Sequence, residues 1–327
     1  MVLIMKKARL LFVVAIIIVL SSCNKDKNVV TFIATTEGYT DDKTLLERHY
    51  DDSGNEYFAI KWEIGDQINV YYIAGDTWPM YESYSIEGVS QDGRTAYVYS
   101  DGWYGGAINP IAVYGHIGHS YYSDIDLEYG GYFTNTNCPS LIYLYPNQSY
   151  SETNIINGFP MVSQVHVDEY SYSHVHLSFY NICGLLRITI KDGRNNITRV
   201  KKVRISSSNA LSGSFRLGND TFDAISIPEG LVLFPYSYSG GDYPSGWNYN
   251  YIELSCSHAN NSVGVPLAID GTDFYFYVPP TSMNDMVIEV TNMDDEVATK
   301  NLSGHSIQVM RSQLTGIKVD FTDVPFI

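Results

Sequence analysis

Three histidines lie near one another in the sequence at a spacing that could bind a metal. His174 and His176 are two residues apart in a segment with strand-like alternation, so they belong to the same face of a strand, and His166 lies shortly before them. Neutral imidazole is a common ligand of Zn²⁺. Solvated imidazoles on an exposed strand face are the commoner origin of such a pattern, and we therefore expect no metal here.

Two other patterns suggest chemistry more weakly. His116 and His119 could also be ligands but carry the same ordinary interpretation as the first three. Asp124, Asp126 and Glu128 resemble the start of a calcium-binding loop, but the glycine and the closing glutamate of that loop are missing. No nucleophile motif, HExxH motif or phosphate-binding loop occurs. We expect no catalytic residue and no cofactor, and the protein is not predicted to be an enzyme.

The first residues predict export as a lipoprotein. Basic residues precede an apolar run from Leu10 to Leu20, which is too short for a transmembrane helix of roughly 20 residues and fits a signal peptide. The run leads into the sequence LSSC, in which small residues precede Cys23. We expect cleavage between Ser22 and Cys23 and lipidation, including palmitate, of Cys23, which would tether the protein to the outer membrane at the cell surface. An ordinary signal peptide followed by a chance cysteine is the alternative.

Composition excludes one class of partner and leaves the disulfides open. The formal charge is −16, and removal of the three basic residues of the signal peptide makes it −19 (−16 − 3). So acidic a chain repels phosphate backbones, and we expect no nucleic-acid partner. Besides Cys23 the chain contains Cys138, Cys183 and Cys256, without CxxC spacing. The sequence does not decide whether two of these three form a disulfide.

Short strands separated by turn residues recur along the whole chain, and helical periodicity is almost absent. This pattern predicts an all-β fold of β-sandwich type. The clearest predicted strands are 67–73, 95–100, 141–145, 174–179, 185–190, 200–205, 274–278, 286–290 and 315–321, preceded by a strand over 29–36.

A polar, tyrosine-rich stretch at 164–173 suggests a boundary between two domains. The predicted organisation is a signal peptide at 1–22, a tether at 23–27, and two tandem β-sandwich domains at 28–168 and 169–327. The expected sandwiches are of the transthyretin-like or Greek-key type.

Tyrosine is abundant, with 28 residues, and suits both pleated surfaces and carbohydrate contacts because its ring is apolar and its tip is polar. Clusters at Tyr121–Tyr122, at 236–243 and at 247–251 could form platforms for a glycan. Loop residues that cover the ends of the sandwiches are the favoured interpretation. A glycan-binding surface lipoprotein that never polymerises is thus an alternative function.

Several stretches, in this order along the chain, resemble the fimbrillin family, including its Mfa-like branch of type V pilins, which are fimbrial subunits derived from lipoproteins. The first combines Phe32-Ile33-Ala34 with the later sequence KWEIGDQINV, in which Trp62 precedes a Gly65-Asp66 turn. The remaining stretches are GFPM at 158–161, LSFYNICGLLRITI at 177–190, VRI at 203–205 with LSGSF at 211–215, and YFYVPP at 275–280.

The resemblance implies a route of assembly. Such pilins resemble two β-sandwiches, reach the outer membrane as lipoproteins, are cut after an arginine beyond the first strand, and then receive a strand from another subunit by donor-strand exchange. On this chain the resemblance makes Val29–Thr36 the strand that is removed and Arg48 the residue before the cut, with His49 as the new first residue. We expect that strand at an edge of the first sandwich and Arg48 in an exposed loop. The alternative is that the strand stays in place.

Two further expectations concern the ends of this assembly. Trp62 should be packed inside the first sandwich. At the other end, Thr315 to Phe321 reads as a closing strand, and the sequence TDVPFI that follows is a poor donor strand because it is short and contains a proline. The chain is therefore expected to be a structural tip or accessory subunit with an adhesive role. Its expected partners are other fimbrial subunits and surface receptors or glycans.

Overall fold

Every regular element that the structure describes is a β-strand, which confirms the prediction of an all-β fold for this part of the chain. The structure is a computed structural model. It describes residues 30–36, 48–50, 56–58, 62–74, 78–100, 108–114, 117–118, 141–151, 159–167, 174–194, 198–217, 233–235, 248–257 and 263–327.

The strands fall into two groups along the chain. The first group is β1 Val30–Thr36, β2 Arg48–Tyr50, β3 Glu56–Phe58, β4 Gln67–Ala74, β5 Trp78–Ser85, β6 Gly88–Val89, β7 Thr95–Ser100, β8 Ile108–Tyr114, β9 Ile117–Gly118, β10 Leu141–Leu144, β11 Asn147–Ser149, β12 Met161–Val167 and β13 His174–Asn181. The second group is β14 Gly184–Lys191, β15 Arg199–Ser206, β16 Ser212–Leu217, β17 Leu233–Pro235, β18 Asn248–Tyr249, β19 Tyr251–Ser255, β20 Val265–Pro266, β21 Thr272–Val278, β22 Thr281–Asn292, β23 Val297–Val309 and β24 Leu314–Asp320.

The largest sheet has eight strands in the order β5-β4-β8-β12-β13-β1-β7-β6. The first strand is therefore an interior strand, with β13 on one side and β7 on the other. We call this the first sheet. Its buried side chains include Ile68, Val70, Ala96, Val98 and Leu177, each at most 1% exposed.

Two other sheets share one core. A six-stranded sheet has the order β11-β19-β15-β22-β23, with β20 beside β15, and a three-stranded sheet has the order β21-β14-β24. Side chains from both sheets form one buried cluster, in which Ile188 and Phe276 from the smaller sheet meet Val203 and Ile288 from the larger one. We call these two sheets and their common core the second unit. In the three-stranded sheet, β24 is an edge strand whose only neighbour is β14.

The predicted strands are found within a few residues of their expected bounds. The strand expected over 95–100 is β7, and the strand expected over 67–73 extends by one residue in β4. The alternation of apolar and polar residues located these elements because one face of each strand is buried.

Sheet membership follows the predicted division of the chain only in part. Strand β13, which lies inside the predicted second domain, is hydrogen-bonded within the first sheet. Strands β10 and β11, which lie inside the predicted first domain, pair with β16 and β19 respectively. The division into two sandwich domains stays a proposal, and the pairing favours a crossing point near residues 182–183.

The remaining sheets are small. One contains β9, β10, β16, β17 and β18, and the other contains only β2 and β3. Within the described residues there is no helix long and apolar enough to span a membrane.

Candidate strand-exchange site

The first strand is paired along both of its edges. Positions 31–36 pair in parallel with β13, from Thr31 with His174 to Thr36 with Phe179. Positions 30–35 pair antiparallel with β7, from Val30 with Ser100 to Thr35 with Thr95. The expectation of an edge strand was therefore wrong. Alternation reports which face of a strand is buried, and it is the same for an interior strand and an edge strand of a sheet with one buried face.

The two strands beside β1 present apolar side chains to the same registers. Position 34 is in register with Ala96 on β7 and with Leu177 on β13, and both side chains are at most 1% exposed. Position 32 is in register with buried Val98, and position 36 with buried Phe179. A strand seated between β7 and β13 therefore meets buried apolar surface at every second residue.

The residues between these registers belong to the other face of the sheet. Tyr99 on β7 is half exposed, and His176 and Ser178 on β13 are exposed. Because side chains alternate along a strand, one face of the space between β7 and β13 is apolar and the other is polar. We call this space the β1 slot.

Trp62 fixes one wall of the slot. Its side chain is only 3% exposed, and its ring lies edge-on to Phe179, with 5.1 Å between ring centroids and an interplanar angle of 74°. Its backbone N–H donates to the carbonyl oxygen of Gly93, at 2.8 Å, in the turn between β6 and β7. The prediction that Trp62 is packed inside the first sheet is confirmed, and its contacts join the turn that precedes β7 to the core residue of β13.

A tight turn follows Trp62, as predicted. Gly65 has a φ of +96°, which L-residues with a side chain rarely adopt, and the Asp66 N–H donates to the Glu63 carbonyl at 3.2 Å. The Gly65 N–H donates to the carbonyl of Ile86, and the Ile86 N–H donates to the carbonyl of Asp66. These bonds hold the start of β4 against the end of β5, so the turn sets the register of the outer part of the sheet.

Arg48 lies in a strand and not in a loop, which corrects that expectation. It begins β2 and pairs with Phe58 of β3, and His49 pairs with Tyr57. A polar, charged sequence predicted a loop here, but the three residues of β2 are in register with an apolar and aromatic β3. A two-stranded sheet of this size is at most marginally stable in water. Cleavage after Arg48 would need only this short pairing to open.

Several other arginines are bonded to larger parts of the fold. The Arg194 guanidinium binds the Asp192 carboxylate, the Arg199 Nη1 donates to the Gly264 carbonyl at 3.3 Å, and the Arg311 Nη1 donates to the Asn181 carbonyl at 3.1 Å. A protease that must unfold its target locally would meet more resistance at these positions than at Arg48.

Strand β13 continues almost directly into β14, with only Ile182 and Cys183 between them. The Ile182 N–H donates to the Pro160 carbonyl, and the Cys183 carbonyl accepts from the N–H of Ser312, which has a φ of +58°. The side-chain amide of Asn181 donates to the Ser312 hydroxyl at 3.2 Å. The strand that lines the β1 slot is thus bonded at its end to the segment that precedes β24.

The cysteines described by the structure are buried thiols. Cys183 and Cys256 are both free, so they do not form a disulfide with each other. Burial raises the pKa of the Cys256 thiol to about 12, and burial also raises the pKa of Cys183 strongly. These thiols are therefore protonated and unreactive at neutral pH. Cys23 and Cys138 lie outside the described residues.

The segment after β24 is bonded to the second unit. The Arg194 guanidinium donates from Nε and Nη2 to Asp192 at 2.8 and 2.9 Å, donates from Nη1 to the Val324 carbonyl at 3.1 Å, and lies 4.7 Å from the centroid of the Phe326 ring. Ile327 and Val297 exchange backbone hydrogen bonds of 2.9 and 3.3 Å. We call residues 321–327 with these contacts the C-terminal clasp.

The clasp is also tied to the core. Phe321 is fully buried, and its N–H donates to the Lys191 carbonyl. The Gly193 N–H donates to the Thr322 hydroxyl at 2.8 Å. Val324 and Phe326 pack against the buried cluster. The edge strand β24 is therefore held at its C-terminal end by contacts that lie outside the sheet pairing.

The other predicted candidate residues are only partly within reach of the structure. His166 and His174 lie on β12 and β13, and His176 is exposed on β13. His116, His119 and the acidic run 124–128 lie outside the described residues. Among the side chains that the structure describes, which include His176 but neither His166 nor His174, no group of three metal-ligating residues comes together.

The tyrosines available for a glycan platform are not coplanar. The rings of Tyr249 and Tyr251 are 5.5 Å apart at an angle of 61°, and the Arg204 guanidinium lies 4.0 Å from the centroid of Tyr251. One face of Tyr251 is thus occupied by a cation of the protein itself. Trp247 and the tyrosines at 121–122 and 236–243 lie outside the described residues.

No known protein family and no curated protein matches the chain. Among solved structures, a candidate cell adhesion protein from Bacteroides ovatus matches at 14% identity and a TM-score of 0.47, covering 93% of this chain and 96% of that one. A candidate cell adhesion protein from Bacteroides uniformis matches at 15% identity and a TM-score of 0.40, covering 91% and 96%. The tip fimbrial protein Mfa3 from Porphyromonas gingivalis matches at 11% identity and a TM-score of 0.32, covering 91% and 98%. With TM-scores below 0.5, these likenesses assign neither a family nor a function to this chain.

Proposed function

We propose that this protein is a structural subunit of a surface fibre, and that it accepts a strand from a neighbouring subunit in place of its own first strand. The observation that carries the proposal is the position of β1, an interior strand that comes from the beginning of the described chain. Removal of an interior strand leaves two strand edges and an apolar surface open at once, whereas removal of an edge strand leaves one.

The chemistry of the β1 slot favours a replacement strand. Without β1, β7 and β13 would each have unpaired N–H and C=O groups, and buried residues such as Val98 and Leu177 would meet water. Unpaired edges and exposed apolar surface both favour strand addition. The fitting partner is an extended segment with apolar residues at three alternate positions, in register with Val98, with Ala96 and Leu177, and with Phe179.

The proposed sequence of events begins at the cell surface. Lipidation at Cys23 tethers the precursor to the outer membrane, and cleavage between Arg48 and His49 then separates β1 from the rest of the chain. The cut strand is held only by its pairing with β7 and β13, so a donor of higher affinity can displace it. The precursor stays folded and unpolymerised until the cut is made.

The proposed position of this subunit is at or near the tip of the fibre. The C-terminal clasp bonds residues 321–327 to the protein's own second unit, through Arg194 and Val297 among others. A segment held in this way is not free to serve as a donor. The proposed subunit therefore accepts a strand and carries the adhesive surface, and its partners are other fimbrial subunits and surface receptors.

The test is cleavage with an arginine-specific protease, followed by a strand-binding assay. The native protein should yield a fragment that begins at His49, and this fragment should bind a fluorescent peptide of residues 29–36. A peptide with Phe32→Asp and Ala34→Asp should not bind, because it places charges at the buried registers. The Arg48→Lys variant is the matched control, since it keeps the positive charge but should resist the protease and leave the slot filled.

The outcome that contradicts the proposal is a folded fragment, beginning at His49 and free of β1, that binds neither peptide and joins no fibre. Retention of β1 on surface protein purified from cells would favour a surface lipoprotein that is never polymerised. N-terminal sequencing and mass spectrometry of that protein would test the cut after Arg48 and the lipid on Cys23 together.

A further inference from the structure

The register of the first sheet brings three histidine positions together. In the antiparallel pairing of β12 with β13, His166 lies directly opposite His176. His174 lies two residues before His176 on the same strand. The sequence shows the spacing of His174 and His176, but only the strand pairing shows that His166 is opposite one of them.

All three positions belong to the polar face of the sheet. His176 is exposed, and the next residue, Leu177, is buried, so the odd-numbered positions of β13 belong to the core face and the even-numbered positions to the outer face. Position 174 shares the face of position 176 by this alternation, and position 166 shares it because directly opposed residues of paired strands belong to one face.

The spacing suits one metal ion. Directly opposed residues have Cβ atoms about 4.5–5.5 Å apart, and diagonal neighbours such as positions 166 and 174 are about 7–8 Å apart. Two histidines two residues apart on a strand lie about 6.7 Å apart along it, at about 3.3–3.4 Å per residue. Imidazole nitrogens bind Zn²⁺ at about 2.0–2.1 Å, and three histidines with a water molecule complete the tetrahedral sphere that this ion prefers.

We propose that His166, His174 and His176 form a three-histidine site for a first-row divalent cation, with zinc as the foremost candidate, on the outer face of the β12–β13 pair. Neutral imidazole suits zinc, copper and nickel, whereas calcium and magnesium require oxygen ligands. The site takes zinc or its borderline relatives and leaves one coordination position to water or to a group from a partner.

The place of the site gives it a structural consequence. On β13, His174 and His176 pair with Thr31 and Ile33 of β1, so the metal would lie beside the β1 slot and join β13 to β12. A bound ion would reinforce the strand that forms one wall of the slot. The metal site itself does not depend on strand exchange, because its ligands come from β12 and β13 alone.

The test is titration of the uncut, metal-free protein with Zn²⁺ by calorimetry and with Co²⁺ by visible absorption. We expect one ion per chain and the intense visible bands of tetrahedral Co²⁺. Each of His166→Ala, His174→Ala and His176→Ala should weaken Zn²⁺ binding by roughly tenfold or more, since loss of even an outer-sphere partner costs about 10–100-fold. Binding should also weaken below about pH 6.5, where free imidazole is protonated.

The matched control is His305→Ala, which removes an exposed histidine from β23 in the second unit. This variant should bind Zn²⁺ as the native protein does. The proposal is overturned if the native protein binds no Zn²⁺, or if the three variants bind as tightly as the His305 variant. Because His166→Ala could also disturb β12, far-ultraviolet circular dichroism must show an unchanged fold, and His166→Gln provides a second variant of similar size without the imidazole.

Discussion

The first sheet and the second unit treat an end of the chain in opposite ways. In the first sheet, β1 is an interior strand, yet it is followed by a stretch in which only the short β2–β3 pair separates it from the rest of the sheet. In the second unit, β24 is an edge strand with one neighbour, yet the segment that follows is bonded to the core, to Arg194 and to β23. Position within a sheet and attachment to the rest of the chain are therefore separate determinants of whether a strand can be exchanged.

The difference also concerns exposed strand edges, which invite pairing with other chains. The reciprocal hydrogen bonds between Ile327 and Val297 cover the first residue of the edge strand β23. Farther along, Gly304 has a φ of +81°, and the pairing with β22 shifts register near Asp285, whose φ is +51°. An irregular edge is a poor template for a further strand. The second unit is thus protected against strand addition, whereas the first sheet can be opened to it.

The largest expected effect of a single substitution is in the first sheet. Trp62→Ala removes the ring that packs edge-on to Phe179, and truncation of a buried aromatic residue costs about 3–5 kcal/mol. Denaturant unfolding followed by circular dichroism should show the loss in the first sheet. Trp62→Phe keeps most of the contact and should cost clearly less. Equal stability of Trp62→Ala and the native protein would mean that Phe179 does not depend on this ring.

The next largest effect tests the clasp. Arg194→Ala removes hydrogen bonds to a carboxylate whose side chain is 2% exposed, and hydrogen bonds to charged groups are worth about 1.5–3 kcal/mol. Hydrogen exchange should rise in residues 314–327 and leave the first sheet unchanged. Arg204→Ala is the control, because Arg204 also stacks on an aromatic ring but lies away from the clasp. Unchanged exchange in Arg194→Ala would show that the core contacts alone hold the segment.

A smaller effect is expected at two glycines, one in each region. Gly65 and Gly304 both have positive φ, and an added Cβ would meet no atom within 4 Å at either position. Replacement by alanine should therefore cost only the backbone strain, about 1–2 kcal/mol. Gly88→Ala is the control without positive φ, and its Cβ would make an ordinary contact with Tyr97 at 3.6 Å. A loss at Gly88 as large as at Gly65 would rule out strain as the cause.

The smallest effect is the acid sensitivity of the clasp. Burial by itself raises the pKa of Asp192, but hydrogen bonds from Arg194 and Thr198 outweigh burial, and the pKa is lowered overall from 3.8. A carboxyl group whose pKa is lower in the folded protein stabilises it above the unfolded pKa, and this contribution is lost as pH falls through the folded pKa. Unfolding measured from about pH 5 down to pH 2 should show a decline that is shallower in Asp192→Asn.

Asp320 provides a second acid-sensitive group at the same end of the chain. Hydrogen bonds from the Thr322 side chain and backbone, and then the contact with Lys191, lower the pKa of Asp320 to about 2. In the first sheet, hydrogen bonds from Ser90 and Arg94 lower the pKa of Asp92. Asp92→Asn should therefore change acid stability of the first sheet without loosening residues 321–327. A clasp that loosens equally in Asp92→Asn would contradict this separation.

Alternation and turn residues predicted where the strands lie but could not predict their neighbours. The strand at 95–100 and the turn at Gly65 followed from local pattern, because burial of one face and a positive φ both constrain nearby residues. The interior place of β1 depends on pairing with β13, more than a hundred residues later in the chain. The pairing of His166 with His176 is likewise a property of register, and it converts a common sequence feature into a candidate metal site.

Arg48 shows a different limit. Its charged surroundings predicted a loop, and the structure places it in a short strand whose partner is apolar and aromatic. The residues that form the clasp also gave no local signal, because Arg194 and Phe326 are far apart in the sequence and come together only when β14 and β24 pair. Long-range pairing thus accounts for each of these differences.

The near continuity of β13 and β14 has a mechanical consequence for a fibre under flow. A strand seated in parallel beside β13, as β1 is, would be pulled along its own length, so that its backbone hydrogen bonds resist the force together and do not break one after another. Since only Ile182 and Cys183 separate β13 from β14, tension would pass along the covalent chain into the three-stranded sheet of the second unit. A cell attached through the second unit would then be connected to its fibre by a single, almost uninterrupted strand.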